Sequence, residues 1–222
     1  MDPDPVVAAG IGVRHGRGWA VRAASFRVGL PAAGPAALGI LTDQPSQSAA
    51  LVDLLAGVAR PAYGELRVLG HDMATIRGRA AVRRRVGVAR RNARSLPAIR
   101  VRGLVEHSAR IGHSHRQDRH LLAAAILDRL SLMPWAEVPL RAAPDAVARR
   151  ARLAAAAVHQ PELLLLDGLL DGLDRRGISV LAAAVKDLSR DSGILLAGCD
   201  RDALELACDD VLVLADGVLI TA

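Results

Sequence analysis

The chain has 222 residues, which is enough for one domain with a full hydrophobic core and leaves little room for a second. Apolar residues make up 51% of it but aromatic residues only 2%, so the core must be built from Leu, Val, Ile and Ala, as in α/β proteins. The net charge of +6 comes almost wholly from arginine, because Lys186 is the only lysine. Lysine-dependent chemistry is therefore excluded everywhere else in the chain.

The N-terminus and the apolar runs argue against export and membrane insertion. The sequence begins MDPDP, with acidic residues where a signal peptide carries basic ones. No apolar run approaches the ~18 residues that a membrane-spanning helix needs. Cys199 and Cys208 fit neither a disulfide framework nor a zinc site, so we expect free, buried thiols. These features predict a soluble, cytoplasmic protein that touches a membrane only through a partner.

The first half of the chain is predicted to be rich in β structure. Short apolar runs separated by Gly and Pro indicate strands at residues 6–13, 20–28, 36–41, 65–69 and 86–89. The stretch LTDQPSQSAALVDLLAG, residues 41–57, follows the third of these strands, and a helix is predicted from Ser48 to Ala56. A strand, a short polar turn and a helix often hold a nucleotide phosphate. Residues 41–57 are therefore a candidate phosphate loop.

Helices dominate the second half. Helical spacing predicts helices at residues 101–111, 117–130, 145–158, 175–189 and 201–208. Residues 161–167, PELLLLD, form a continuous apolar run that ends in an acid, as in a strand of a parallel sheet buried on both faces. A further strand is predicted at residues 194–197, and residues 211–220 read as a hairpin with its turn at Asp216-Gly217.

The order of these elements resembles the nucleotide-binding domain of ATP-binding cassette (ABC) transporters over nearly the whole chain. The best-matched segments are LLAGVARPAYGELRVLGHDM at 54–73, HQPELLLLDGLLDGLD at 159–174 and DDVLVLADGVLI at 209–220. The resemblance implies an α/β fold of the P-loop NTPase kind, with an N-terminal antiparallel β portion and a helical subdomain at about residues 92–158. It also implies that residues 1–222 form a single domain.

The resemblance places the family's phosphate loop, G-x-x-x-x-G-K-[ST], on the stretch from Thr42 to Ala49. Thr42 and Gln47 stand in place of the two glycines, Ser48 in place of the lysine, and Ala49 in place of the hydroxyl that binds Mg²⁺. Sliding the register by one residue restores a hydroxyl at Ser48 but neither a lysine nor a glycine. Pro45 also removes a backbone donor from the middle of the predicted cradle.

Most other family motifs are altered as well. The acid that helps to hold Mg²⁺ is kept as Asp167, but Gly168 occupies the position of the catalytic glutamate and Cys199 that of the switch histidine. Arg91 lies where the family has a glutamine that links nucleotide to transporter. His15 aligns with the aromatic residue that stacks on adenine.

In the family, two segments contact the opposite subunit, and this chain matches the family sequence in one of them better than in the other. The signature LSGGQ falls on residues 143–147, APDAV, where Asp145 would set a negative charge near the incoming phosphate, although it suits a helix N-cap. Residues 171–174, DGLD, remain recognisable as the segment at the subunit interface, with Asp174 as a vestigial site residue.

An arginine run and a group of histidines are further candidate functional features. The run RRRVGVARRNAR at residues 83–94 could bind nucleic acid, anionic lipid or an acidic partner, or could dock onto the membrane subunit. The favoured interpretation is a solvated rim beside a buried strand. Four histidines lie close in sequence, at His107, His113, His115 and His120, but they lack the acidic or thiol company of a metal site.

The sequence therefore predicts a degenerate ABC-type ATP-binding subunit that does not hydrolyse ATP and serves as a structural or regulatory partner in a transporter. An alternative is a residual ATPase in a composite site with an intact subunit; another is a basic scaffold for nucleic acid or an acidic protein. No cofactor is expected. ATP and Mg²⁺, the latter held by Asp167, are expected only if the degenerate site still binds nucleotide. The expected partners are an ABC-type ATPase subunit and a membrane permease at the inner face of the cell membrane, and nucleic acid is an unlikely partner.

Overall fold

The computed structural model describes residues 4–15, 18–29, 36–91, 99–111 and 116–221, which form two β-sheets and seven α-helices. A four-stranded antiparallel sheet has the order β2-β1-β4-β5, and a six-stranded sheet has the order β10-β9-β3-β8-β7-β6. In the larger sheet all strand pairs are parallel except β9 with β10. The predicted combination of an antiparallel N-terminal portion with a parallel α/β core is thus confirmed.

The elements have the following bounds. The strands are β1 Val6–His15, β2 Gly18–Val28, β3 Ala37–Leu41, β4 Tyr63–Val68, β5 His71–Asp72, β6 Val86–Arg90, β7 Leu163–Asp167, β8 Gly193–Gly198, β9 Asp210–Ala215 and β10 Val218–Thr221. The helices are α1 Pro45–Leu55, α2 Ile76–Val82, α3 Val101–Ser108, α4 Arg116–Arg129, α5 Asp145–Ala157, α6 Arg175–Leu188 and α7 Arg201–Ala207.

Strand β7 shows why the larger sheet is buried on both faces. Its side chains alternate in direction, so Leu164 and Leu166 pack into one hydrophobic cluster with α3 to α7, while Leu163 and Leu165 pack into a second cluster with α1 and the antiparallel sheet. All four leucines are fully buried. The continuous apolar run in the sequence is explained by this two-sided burial.

Two short elements lie outside the sequence prediction. Strand β5 has only two residues, and helix α2 begins at a cap in which the Thr75 hydroxyl oxygen accepts a hydrogen bond from the Gly78 amide at 3.0 Å. The arginine-rich composition of α2 hides its short apolar face, which is why periodicity alone missed it. In the described part of the chain, no helix is both long and apolar enough to cross a membrane.

A glycine in β6 allows α5 to pack directly on the edge of the sheet. A Cβ atom added at Gly87 would lie 2.2 Å from the Ala156 carbonyl oxygen, whereas one added at Gly103 in α3 would meet its nearest atom, of Ile99, at 3.5 Å. We predict that Gly87→Ala lowers the free energy of unfolding by about 1–3 kcal/mol, because backbone must move to accommodate it.

The matched control is Gly103→Ala, which adds a methyl group at ordinary contact distance within a helix and should stabilise the protein by about 0.5–1 kcal/mol. Urea-induced unfolding of the two variants measures both effects. Equal stability of the two variants would contradict the close approach at Gly87.

Candidate functional site

The connection between β3 and α1, where the phosphate loop was predicted, is only three residues long. It consists of residues 42–44, and α1 begins at Pro45, whose missing N–H suits the first turn of a helix. The prediction that the helix begins at Ser48 is therefore wrong, and so is the placing of Pro45 in the middle of a cradle. The Gln47 amide already donates to the Gln44 carbonyl oxygen at 2.9 Å, so the backbone here turns inward as helix.

The side chains of the connection bond to one another. The Thr42 hydroxyl donates to the Gln47 Oε1 at 2.9 Å and accepts from the Gln44 amide at 3.2 Å. Thr42 and Gln47 are 3% and 4% exposed, so these bonds are shielded from solvent. The two side chains that the first register puts in place of the family's glycines thus bond to each other in the buried part of the connection.

A side-chain hydrogen bond joins Ser48 on α1 to Asp167 at the end of β7. The Ser48 Oγ lies 2.8 Å from the Asp167 Oδ1 and 3.0 Å from the Pro45 carbonyl oxygen. Burial raises the pKa of Asp167, and the Ser48 hydrogen bond and the Arg90 charge oppose that rise. The shifted register, with its hydroxyl at Ser48, therefore describes the geometry better than the register that puts Ala49 at the metal position.

Arg90, one of the arginines in the run at residues 83–94, lies beside this pair. The Arg90 Nη2 lies 2.5 Å from the Asp53 Oδ1 on α1, and its Nη1 lies 4.0 Å from the Asp167 Oδ2. Arg90 ends β6 and pairs in register with Asp167. A cation of the chain itself therefore faces the second oxygen of the carboxylate that holds Mg²⁺ in the family.

The segment after β7 carries the positions of the catalytic glutamate and the switch histidine. Gly168 has a φ of 65°, and its amide donates to the Ala197 carbonyl oxygen at 2.8 Å. The Asp171 Oδ1 accepts from the Cys199 amide at 2.9 Å, which joins this segment to the end of β8. The site thus has backbone order at both positions but neither the carboxylate nor the imidazole.

The two thiols differ in environment. Cys199 is exposed, so the prediction of burial is wrong for it, whereas Cys208 is buried, and both are free. Burial, with help from Asp171, raises the pKa of the Cys199 thiol, and burial raises that of Cys208 to about 12. Both thiols are therefore protonated at neutral pH and are poor nucleophiles.

Arg149 is a second internal cation that sequence reasoning missed. It is 1% exposed, and its Nη1 donates to the Leu169 and Asp171 carbonyl oxygens at 3.1 and 2.6 Å. Its Nη2 lies 2.5 Å from the Asp145 Oδ2, and this contact lowers the pKa of Asp145. The sequence around Arg149 contains only arginine, alanine and a few other residues, and nothing in it indicates that the side chain of one arginine is buried in the core.

Asp145 does not cap α5. The N-cap residue is Pro144, which has no side-chain cap, and Asp145 is the first helical residue with its carboxylate on Arg149. The capping prediction is wrong because an arginine one turn later competes for the carboxylate. Asp174, in contrast, caps α6, since its Oδ1 accepts from the Gly177 amide at 2.7 Å.

Arg91 and His15 complete the set of predicted site residues. The Arg91 amide donates to the Asp167 carbonyl oxygen at 2.9 Å, and its guanidinium lies about 3.4 Å from where a Cβ of Gly172 would be. His15 is the last residue of β1, and its side chain lies outside the described part of the structure.

Three arginines of the run at residues 83–94 form hydrogen bonds or salt bridges with neighbouring parts of the protein. Arg83 donates to the Gly57 carbonyl oxygen at 2.8 Å, and Arg85 forms a two-pronged pair with Glu162 at 2.6 and 2.7 Å. With Arg90 on Asp53, three of the cations have partners, and Arg83, Arg84 and Arg91 are exposed. Residues 92–94 lie outside the described residues. The exposed arginines fit the interpretation as a solvated rim.

The histidine cluster shows no metal geometry where the structure describes it. The His120 Nδ1 lies 2.8 Å from the Glu106 Oε1, and His107 is exposed on α3. His113 and His115 lie outside the described residues. Among the described side chains, no group of three or more His, Cys, Asp or Glu could hold a metal ion.

Comparison with known proteins agrees with this architecture. Residues 49–170 match the ABC transporter family. The chain is 28% identical over 202 residues to the methionine import ATP-binding protein MetN 2 of Burkholderia mallei (strain ATCC 23344), covering 89% of this chain and 51% of that protein. It is 30% identical over 150 residues to the daunorubicin resistance ATP-binding protein DrrA3 of Streptomyces coeruleorubidus, covering 68% of this chain and 47% of that protein.

Solved structures share the fold at low identity. cbiO1 from Clostridium perfringens, part of the ABC transporter complex cbiONQ, superposes with a TM-score of 0.85 at 19% identity, over 99% of this chain and 88% of the other. The ATP-binding cassette MJ0796, bound to ADP and Pi as a dimer, gives 0.80 at 15% identity, over 96% of each chain.

The protein has the fold of an ABC nucleotide-binding domain. The chain belongs to the ABC transporter family, as the resemblance predicted. It spans about half the length of the curated relatives it matches. The family match begins at Ala49, directly after the residues that close the β3–α1 connection.

Asp167 makes the site testable through pH. Because burial raises its pKa above the ordinary 3.8, ionising Asp167 costs the folded state free energy, and stability is lost as the pH rises through that raised pKa. We predict that Asp167→Asn gains free energy of unfolding relative to the wild type between roughly pH 4 and pH 7.

Denaturant unfolding across that pH range provides the measurement. The matched control is Asp43→Asn, which removes an exposed carboxylate of the same connection and keeps Asp167 in place. A relative stability of Asp167→Asn that falls with rising pH would show that Arg90 and Ser48 outweigh burial.

Proposed function

We propose that this protein is a degenerate ABC nucleotide-binding subunit that neither binds ATP with useful affinity nor hydrolyses it. The observation that carries the proposal is the closed β3–α1 connection. A phosphate cradle needs several consecutive backbone N–H groups directed at the ligand, together with a lysine. Here three residues join strand to helix, Gln47 and Thr42 bond each other at 2.9 Å, and residues 42–49 contain no lysine in either register.

The charges around Asp167 support the same proposal. A bound Mg²⁺ would need the Ser48 hydroxyl and the Asp167 carboxylate as free oxygen ligands. The hydroxyl lies 2.8 Å from one carboxylate oxygen, and Arg90 faces the other at 4.0 Å. Binding Mg²⁺ would therefore require both contacts to be exchanged and a second cation to be accepted beside the guanidinium.

The site lacks the general base that ATP hydrolysis needs. The residue after Asp167 is Gly168, so the position of the family's glutamate has no carboxylate to orient or activate water. The Cys199 thiol at the histidine position is protonated at neutral pH. Unlike an imidazole, it has no pair of ring nitrogens that could relay a proton.

The intact scaffold points to a structural or regulatory role beside other subunits. The relatives are named as ATP-binding proteins of methionine import and of daunorubicin resistance. We infer that this chain likewise serves a transporter, at the inner face of the membrane, by pairing with an ATPase subunit and a permease. The Asp174 cap and the contacts of Arg149 to the carbonyl oxygens of Leu169 and Asp171 hold the segment that leads into and includes residues 171–174, the family's interface segment.

One observation favours a second function, a composite site completed by an intact subunit. Asp145, which would repel the partner's nucleotide, is neutralised by Arg149 at 2.5 Å. The proposal is tested by ATP hydrolysis in a complex co-purified with an intact ATPase subunit. Turnover that depends on this chain supports a composite site, and turnover that is the same without it excludes one.

Calorimetric titration with Mg-ATP tests the principal function. We predict a dissociation constant weaker than about 1 mM, because residues 42–49 contain no lysine and the Thr42 and Gln47 side chains bond to each other. An ABC nucleotide-binding domain with an intact G-x-x-x-x-G-K-[ST] loop, titrated identically, is the positive control. Micromolar binding would contradict the proposal and would require the connection to open.

A further inference from the structure

The structure contains a cavity that the proposed function does not use. It has a volume of about 290 Å³ and lies between the end of α4, the middle of α5 and one face of α6. Its walls include the apolar side chains of Leu130, Val180, Ala183 and Ala184, and its polar lining consists of Arg129, Ser131, Arg150 and Asp187.

Arg150 is the unusual member of this lining. Its Nη2 donates to the Ser131 carbonyl oxygen at 3.3 Å, which is a long bond, and its Nε is buried with no hydrogen-bond partner. Among the described residues, no acidic side chain forms a salt bridge with it. A half-buried cation with this few contacts has lost hydration without gaining a counter-charge.

The other charges of the cavity are already balanced. The Arg129 Nε lies 2.5 Å from the Asp187 Oδ2, and its Nη1 lies 2.7 Å from the Asp191 Oδ2. These contacts raise the pKa of Arg129, whereas burial lowers that of Arg150 with no carboxylate to oppose it. The positive charge of Arg150 is therefore the one that remains for a ligand.

A larger cavity nearby shows the contrast. It has a volume of about 400 Å³ and also contains Arg129, with Asp191 and Ser192. Arg129 pairs with Asp191, and the Ser192 hydroxyl donates to the Pro161 carbonyl oxygen at 2.7 Å. Its charged groups are satisfied, so it offers no comparable recognition element.

We propose that the cavity between α4, α5 and α6 binds a carboxylate with a short aliphatic group, the carboxylate on Arg150 and the aliphatic group against Val180, Ala183 and Ala184. A guanidinium offers planar N–H donors that match the two oxygens of a carboxylate better than a spherical ion. The apolar wall adds affinity for the hydrocarbon part. The carboxylate comes either from a small molecule or from a Glu side chain of a partner protein.

The test is an NMR titration of the intact chain, followed through the arginine Nε–Hε signals. The Arg150 signal is assigned by its loss in Arg150→Lys. Isovalerate is the small-molecule probe, and an acetylated, amidated Val-Glu-Val peptide, whose Glu side chain is its one carboxylate, is the protein-like probe. We expect a saturable shift of the Arg150 signal, with a dissociation constant on the order of 1 mM or tighter. The probe that binds more tightly identifies the source.

The controls separate this site from general anion binding. Isovaleramide, which has the same shape without charge, and sodium chloride at equal ionic strength should leave the Arg150 signal unshifted. Arg141→Gln, which removes an exposed arginine outside the cavity, should leave the titration unchanged. A linear, unsaturated response to both carboxylates, or an equal shift with chloride, would overturn the proposal.

A second variant supplies the carboxylate within the chain. Val180 is 40% exposed, so a polar residue is tolerated there. We expect Val180→Glu to raise the melting temperature by about 2 °C over the neutral control Val180→Gln and to abolish the isovalerate shift. Equal melting temperatures together with an unchanged isovalerate titration would place the ligand outside this cavity.

Discussion

The three-residue connection between β3 and α1 is the constraint on which the rest of the site depends. Strand β3 is the centre of the parallel sheet, paired with β8 and β9, and α1 packs its buried face on the same sheet. With both ends fixed, the length of the connection decides whether backbone amides can surround a phosphate. Because α1 already begins at Pro45, no residues remain for a longer loop. The Thr42 and Gln47 side chains bond to each other within the connection.

Internal cations complete this closure. In an ATP-binding site, Mg²⁺ and a lysine balance the charge of the phosphates. In this chain Arg90 lies between Asp53 and Asp167, and Arg149 lies between Asp145 and the carbonyl oxygens after β7. Arg90 thus joins β6 to α1 and β7, and Arg149 joins α5 to the segment after β7. The domain therefore keeps its shape through contacts of its own, which suits a subunit with a structural or regulatory task.

The sequence was most informative where one physical rule dominates. Period-two burial on both faces of β7 gives an unbroken leucine run, and the Asp216-Gly217 turn gives a hairpin with both residues at positive φ, so both were predictable. Motif spacing also located the β3–α1 connection, because the apolar face of α1 is kept even where the residues of the family's phosphate loop are replaced.

The parts that could not be predicted depend on side-chain direction. Nothing in the run around Arg149 and Arg150 distinguishes the arginine that enters the core from the one that lines a cavity. Likewise, the charge pair of Asp145 with Arg149 replaces the cap that Asp145 was expected to form. Such choices follow from three-dimensional neighbours, which a single sequence does not reveal.

Hydrogen–deuterium exchange of the segment at residues 41–55, with and without Mg-ATP, tests the closed connection most directly. The amides of α1 are already bonded within the helix from Gln47 onward, so the account predicts the same exchange rates in both conditions. Slower exchange of residues 42–49 on addition of Mg-ATP, with the remaining peptides unchanged, would show that the connection opens to hold phosphate and would contradict the account.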